Sequence, residues 1–131
     1  MNTKKLLIVL LLICTSCSVD IDNDEVTTDP VFCTEELRYG LEITVRSAAI
    51  DTNAIIIKEG ITVVAKDGEY SEKLINITGT DAFIGAAERP GNYFITIRGE
   101  GYKTYTSSDP ILVESDQCHV LTESLEIILS Q

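Results

Sequence analysis

From Phe32 onward the chain is a succession of short runs rich in Val, Ile, Thr and Tyr, in which apolar and polar residues alternate between turn residues at fairly even spacing. A period of two sends successive side chains to opposite faces of an extended backbone, so each run can bury one face and wet the other. No run in this region repeats its apolar residues convincingly at the period of a helix. These constraints point to an all-β fold, and about seven such runs around one core predict a sandwich of two packed sheets.

Residues 37–46 carry Leu41, Ile43 and Val45 on one face and Glu42, Thr44 and Arg46 on the other. Residues 61–65 and 70–75 flank Lys66-Asp67-Gly68-Glu69, a hairpin in which Asp-Gly would supply the positive backbone angles of a type I′ turn. Residues 82–87 end at Glu88-Arg89-Pro90-Gly91, where Pro90 and Gly91 suit the centre of a type II turn and Glu88 and Arg89 read as a solvated pair. The strand that follows places Tyr93, Ile95 and Ile97 opposite Phe94, Thr96 and Arg98. Further strand material lies at 102–106 and 111–113, around the loop Ser107-Ser108-Asp109-Pro110. Residues 118–129 put Leu121, Leu125, Ile127 and Leu129 on one strand face, although Leu121, Leu125 and Ile128 also fit a helix. Residues 48–60, with the apolar Ala54-Ile55-Ile56-Ile57, are compatible with a short strand or with a loop tucked over a sheet edge.

The first segment has a different character. Lys4 and Lys5 precede the unbroken apolar run 6–13, which ends at Cys14-Thr15-Ser16-Cys17. Eight residues in helix rise about 12 Å against roughly 30 Å of hydrocarbon, so the run reads as a signal peptide and not as a permanent span. Signal peptidases need a small residue before the cut. Cys14 follows the bulky Ile13, whereas Cys17 follows Thr15 and Ser16, which resembles a relaxed form of the lipobox of bacterial lipoproteins. The expectation is a signal peptide at 1–16, lipidation of Cys17, an acidic tether at 17–31 and a folded domain at 32–131. An ordinary secretory signal cleaved nearby is the alternative. Ser18 rather than Asp after the cysteine fits release to the outer membrane, and the acidic stretch resembles a surface-export tag, which favours the outer face over the periplasmic one.

With 131 residues there is room for one core. Removal of residues 1–16 leaves 115 residues with 8 basic against 21 acidic side chains, a net charge of −13. A surface this acidic repels phosphate backbones and anionic headgroups, which argues against nucleic acid as a partner and leaves lipid as the means of membrane attachment. If Cys14 leaves with the signal and Cys17 carries lipid, Cys33 and Cys118 remain. In an oxidising compartment two thiols pair as one bridge, the alternative being two unpaired buried cysteines.

The search for chemistry yields little. Asp20, Asp22 and Asp24 have the spacing that begins an EF-hand loop, but Glu25 occupies the position that needs glycine and Val31 the position of the bidentate carboxylate. Two cysteines and one histidine do not make a zinc site, and no cofactor fingerprint is present. His119 is the only histidine, and as a general base it would need a nucleophile, with Ser107 and Ser108 beside Asp109 the serines at hand. Tyr93, Tyr102 and Tyr105 read as strand packing residues, with Tyr102 and Tyr105 also a candidate partner-binding surface. Asn76-Ile77-Thr78 matches a glycosylation sequon by chance.

Four segments together resemble the carboxypeptidase regulatory-like domain family: Cys33 with Gly40-Leu41-Glu42-Ile43-Thr44-Val45; Asp67-Gly68-Glu69-Tyr70-Ser71-Glu72-Lys73-Leu74; Gly85-Ala86-Ala87-Glu88-Arg89-Pro90-Gly91-Asn92-Tyr93 running to Gly101-Tyr102; and Asp116-Gln117-Cys118-His119-Val120. The link between the first two strands is longer than in that family, and Tyr105 stands where many of its members carry tryptophan. The resemblance implies a transthyretin-like β-sandwich, a non-catalytic module and a bridge between Cys33 and Cys118 flanking the domain. The expected function is an outer-membrane-anchored module that binds or supports an envelope protein or glycan. The alternatives are an inhibitor or accessory subunit of a peptidase and a small envelope hydrolase using His119.

Overall fold

The computed structural model describes residues 30–48 and 54–131, and the residues from Val31 to Gln131 belong to one compact unit. The signal-peptide reading, Cys14, Cys17, the aspartate triplet and nearly all of the tether lie outside the described residues.

The described chain is all-β, with ten strands and no helix: β1 (Tyr39–Ser47), β2 (Ile55–Ile56), β3 (Ile61–Asp67), β4 (Tyr70–Lys73), β5 (Ile75–Asn76), β6 (Ala82–Ala87), β7 (Gly91–Gly99), β8 (Tyr105–Thr106), β9 (Ile111–Val113) and β10 (Glu123–Leu129). They form two five-stranded sheets. One runs β10-β1-β6-β5 with β2 also on β1, and the other runs β4-β3-β7-β8 with β9 also on β7. All pairings are antiparallel except β1 with β10, which run parallel from Leu41 opposite Glu123 to Ser47 opposite Leu129.

The alternation read from the sequence is the one that builds the core. Leu41, Ile43 and Val45 of β1 face Val63, Ala65, Ile95 and Ile97 of the second sheet across a single apolar cluster, all of them fully buried. Each large aliphatic side chain removed from water in this way contributes about 1.5–3 kcal/mol. Ile127 and Leu129 join the cluster, which resolves residues 123–129 as strand. Leu121, expected on that inward face, precedes the strand and is exposed. Ile55 and Ile56 form the short strand and not a loop, while residues 49–53 lie outside the described residues.

Two turns differ from expectation. Asp67 already pairs with Tyr70, so the hairpin loop is Gly68-Glu69, and only Gly68 has a positive φ, of 59°. Glycine first and an ordinary residue second is the pattern of a type II′ turn, not I′. Gly91 lies in β7 with an ordinary φ, and the left-handed residues between β6 and β7 are Ala86 at φ 55° and Glu88 at φ 47°. A Cβ at Gly91 would lie 2.6 Å from Asp67 Oδ2 and 2.9 Å from an Arg89 guanidinium nitrogen, so a larger residue there would displace these two side-chain ends.

Residues 70–75 are not one strand. Lys73 ends β4 in the second sheet, Leu74 is buried between the layers, and Ile75 begins β5 in the first. The split and the short β2 each add one strand to the eight runs named from the sequence, which makes ten.

Candidate functional site

Of the side chains singled out in the sequence, Cys33, Cys118 and His119 come together where the segment leading into β1 meets the loop leading into β10. Cys33 and Cys118 are joined as a disulfide, with Cα atoms 5.2 Å apart. The loop before β10 is a tight turn closed by Asp116, whose Oδ1 accepts hydrogen bonds from Cys118 N at 2.7 Å and His119 N at 2.8 Å. Asp116 N donates to His119 O at 2.9 Å, and Ser115 bridges to Val120.

His119 is the hub. Its side chain is only 12% exposed, with Nδ1 2.8 Å from Glu88 Oε1 and Nε2 3.0 Å from Thr34 Oγ1. Glu88 in turn accepts from Arg38 N at 2.7 Å on Oε1 and from Val120 N at 3.3 Å on Oε2, while its own N–H donates to Arg38 O at 2.9 Å. These bonds hold Glu88 in the left-handed conformation, which costs a residue with a Cβ about 1–2 kcal/mol. Glu88 is therefore an exposed turn residue, as read from the sequence, that also ties three segments together. A cavity of about 430 Å³ opens beside it, lined among others by Thr34, Glu35, Glu36, Asp116, Gln117 and His119.

A hydroxyl, an imidazole and a carboxylate in a row invite comparison with an acyl-transfer triad. The hydroxyl is that of Thr34 and neither serine: Ser107 Oγ accepts from Ile95 N at 3.0 Å, and Ser108 Oγ donates to Asp109 Oδ2 at 2.8 Å. Such chemistry also needs donors for a developing oxyanion. The N–H groups of Cys118, His119 and Val120, those nearest the ring, already donate to Asp116 and Glu88. Glu35, Glu36, Glu88 and Asp116 further make the cavity anionic. What the arrangement does is clasp the entering segment to the body of the domain.

The clasp has an acid limit. The Arg38 N–H and the contacts to His119 and Val120 hold the Glu88 carboxyl below its usual range, and the N–H groups of His119 and Cys118 do the same for Asp116. A carboxylate whose folded pKa is depressed stabilises fully above its unfolded value, near 4, and that contribution is lost as the pH falls through the folded value. The thermal midpoint of the protein should therefore fall between about pH 5 and pH 3, and Glu88→Gln should flatten part of that fall. Superimposable pH profiles for the two proteins would show that the clasp does not act through Glu88.

A second polar network ties the β6–β7 turn to the β3–β4 hairpin. One Arg89 guanidinium nitrogen donates to Asp67 Oδ2 at 2.8 Å and to the Tyr93 hydroxyl at 2.7 Å, and the guanidinium lies over the Tyr70 ring, 4.0 Å from its centre. The Tyr93 hydroxyl donates back to Arg89 O at 2.9 Å, and Glu72 Oε2 accepts from both Tyr70 Oη and Ala86 N at 2.8 Å. Arg89, like Glu88, is engaged in hydrogen bonds while keeping part of its side chain in solvent, and the Tyr93 and Asp67 bonds favour its charged form. Tyr93 is fully buried, whereas Tyr102 and Tyr105 pack half-buried against the core with part of each ring exposed.

Among the described residues no group of three or more His, Cys, Asp or Glu side chains is placed to hold a metal ion. No protein-family model matches the chain, and neither a curated protein nor a solved structure is significantly similar to it.

Proposed function

We propose that the chain is a non-catalytic, lipid-anchored β-sandwich module of the cell envelope, held to the outer membrane through Cys17 and binding or supporting an envelope protein or glycan. The observation that carries this reading is the pairing of Cys33 with Cys118. A disulfide closing nearly the whole domain belongs to an oxidising compartment. It also leaves Cys14 and Cys17 as the remaining cysteines, both in the segment that reads as a lipoprotein signal. The resemblance to the carboxypeptidase regulatory-like family points the same way, toward a module without chemistry of its own. The part-exposed rings of Tyr102 and Tyr105 remain candidates for a partner-binding surface.

Fractionation of the expressing cell tests the anchor. Cys17→Ala should abolish fatty-acid incorporation and release the protein from the membrane fraction, while Cys14→Ala should do neither. Persistence of lipid on Cys17→Ala would overturn the assignment. Proximity crosslinking from intact envelopes then reports the partner and the membrane side together.

One geometry favours a second reading, a small envelope hydrolase in which Thr34 is the nucleophile, His119 the base and Glu88 the orienting group. It requires that Thr34→Val and His119→Ala both abolish a hydrolytic activity of the wild-type protein without lowering its melting temperature.

A further inference from the structure

The outer face of the second sheet is electrically unlike the rest of the molecule. Eight Lys and Arg residues lie beyond residue 30 of this acidic chain. Among the described residues, four of them form ion pairs: Arg38 with Glu36, Arg46 with Glu126, Lys58 with Asp81 and Arg89 with Asp67. Of the other four, three share one surface. Lys66 of β3, Lys73 of β4 and Arg98 of β7 all project outward, since their strand partners by register are the outward-facing Phe94, Val64 and Thr62. No outward-facing strand residue of this sheet is a carboxylate. On the other sheet the outward Arg46 is neutralised by Glu126 at 2.7 Å.

Between these cations the surface is concave and hydroxylated. Thr62, Val64, Lys66, Thr96 and Arg98 line a dent of about 170 Å³, with Thr106 of β8 paired beside Thr96. At one end Phe94 stands 44% exposed beside Lys66. From the register, Lys66 and Arg98 lie four residues apart along adjacent strands, about 14 Å, with Lys73 offset by one further strand.

We infer that this face binds an anionic polysaccharide, with Lys66, Lys73 and Arg98 pairing its carboxylates, Thr62, Thr96 and Thr106 meeting its hydroxyls, and Phe94 stacking against a sugar ring. Charge complementarity selects an anion. The sheet itself selects against an extended acidic peptide, which docks on sheets through main-chain bonds at an edge, whereas a face offers side chains alone. The dent selects against a flat headgroup layer, since it admits one ring-sized group between two cations. The inference rests on the reading of the chain as a binding module and names the chemistry of its ligand.

The test is binding of the full-length chain to polygalacturonate, with neutral dextran, polyglutamate and vesicles of anionic phospholipid as the comparison probes. Polygalacturonate should bind, dextran should not, and the affinity should fall as salt rises, because each neutralised charge releases a counterion. Lys66→Glu with Arg98→Glu should weaken binding at least tenfold, whereas Lys103→Glu should leave it within twofold. Lys66→Gln with Arg98→Gln gives the same readout should the reversed charges impair folding, and a melt of each variant reports on that. Preference for polyglutamate or vesicles over polygalacturonate, or binding that survives the Lys66 and Arg98 substitutions, overturns the inference. If the charge-reversed protein still captures the wild-type partner from envelopes, the module reading stands and the glycan inference alone falls.

Discussion

Replacing Cys33 and Cys118 with serine, or reducing the bond between them, is expected to lower the stability of the domain severely. The bridge closes a loop across a sequence separation of 85 residues. On the chain-entropy account, a loop of that length restricts the unfolded ensemble by about 4–5 kcal/mol, an upper figure because residual structure reduces it. A domain of this size has about 5–15 kcal/mol in total. At about 4–8 °C per kcal/mol, that upper figure corresponds to a fall in melting temperature of about 16–40 °C. Thermal melts with and without reductant measure this directly, and a fall of less than about 5 °C would refute the loop argument. The loss should exceed that of any one clasp residue alone, because Thr34, Glu88 and His119 hold the same junction by contacts that the covalent bond positions.

The second large effect is centred on Tyr93. Its ring is fully buried between Ile95 and the Arg89 turn, and meets Tyr70 edge to face with ring centres 6.3 Å apart. Tyr93→Ala should cost about 3–5 kcal/mol, through lost transfer energy and the cavity left behind. Tyr93→Phe keeps the ring and removes only the hydroxyl that accepts from Arg89 and donates to its carbonyl. That change should cost about 1–2 kcal/mol. Urea denaturation of the two variants separates packing from hydrogen bonding, and equal losses would show that the hydroxyl bonds dominate the site. A neutral Tyr93→Phe would show instead that water replaces them.

What could be read in the sequence follows from how local the determinants are. β1 and β7 were legible because Leu41 to Arg46 and Tyr93 to Arg98 keep a period of two, and every inward side chain named from it is buried. The disulfide was legible by counting the cysteines left once Cys14 and Cys17 are set aside. The split at Leu74 was not, because Tyr70, Glu72 and Leu74 keep an even period while the chain passes from one sheet to the other. The parallel pairing of β1 with β10 depends on a crossover spanning the entire domain, and no local pattern encodes it.

The site was half legible. His119 stood out as the single histidine, but its partners are 85 residues away at Thr34 and 31 away at Glu88. Glu88 read only as a solvated turn residue because nothing in Glu-Arg-Pro-Gly announces a left-handed glutamate. Its conformation is imposed by Arg38, Val120 and His119 together. The cationic face was hidden for another reason. Lys66, Lys73 and Arg98 are scattered in sequence, and only the register of β4, β3 and β7 makes them neighbours.

The position of the disulfide also determines how the protein carries mechanical load. A pull applied upstream of Cys33 and resisted downstream of Cys118 passes through the sulfur bridge, then along the backbone of β10, and bypasses residues 34–117 altogether. Nine of the ten strands then bear no tension, and the tenth bears it only along its own covalent axis. A domain wired in this way can be tugged between two attachment points without its sheets being sheared apart. Reduction of one bond would place the whole sandwich in series with the force.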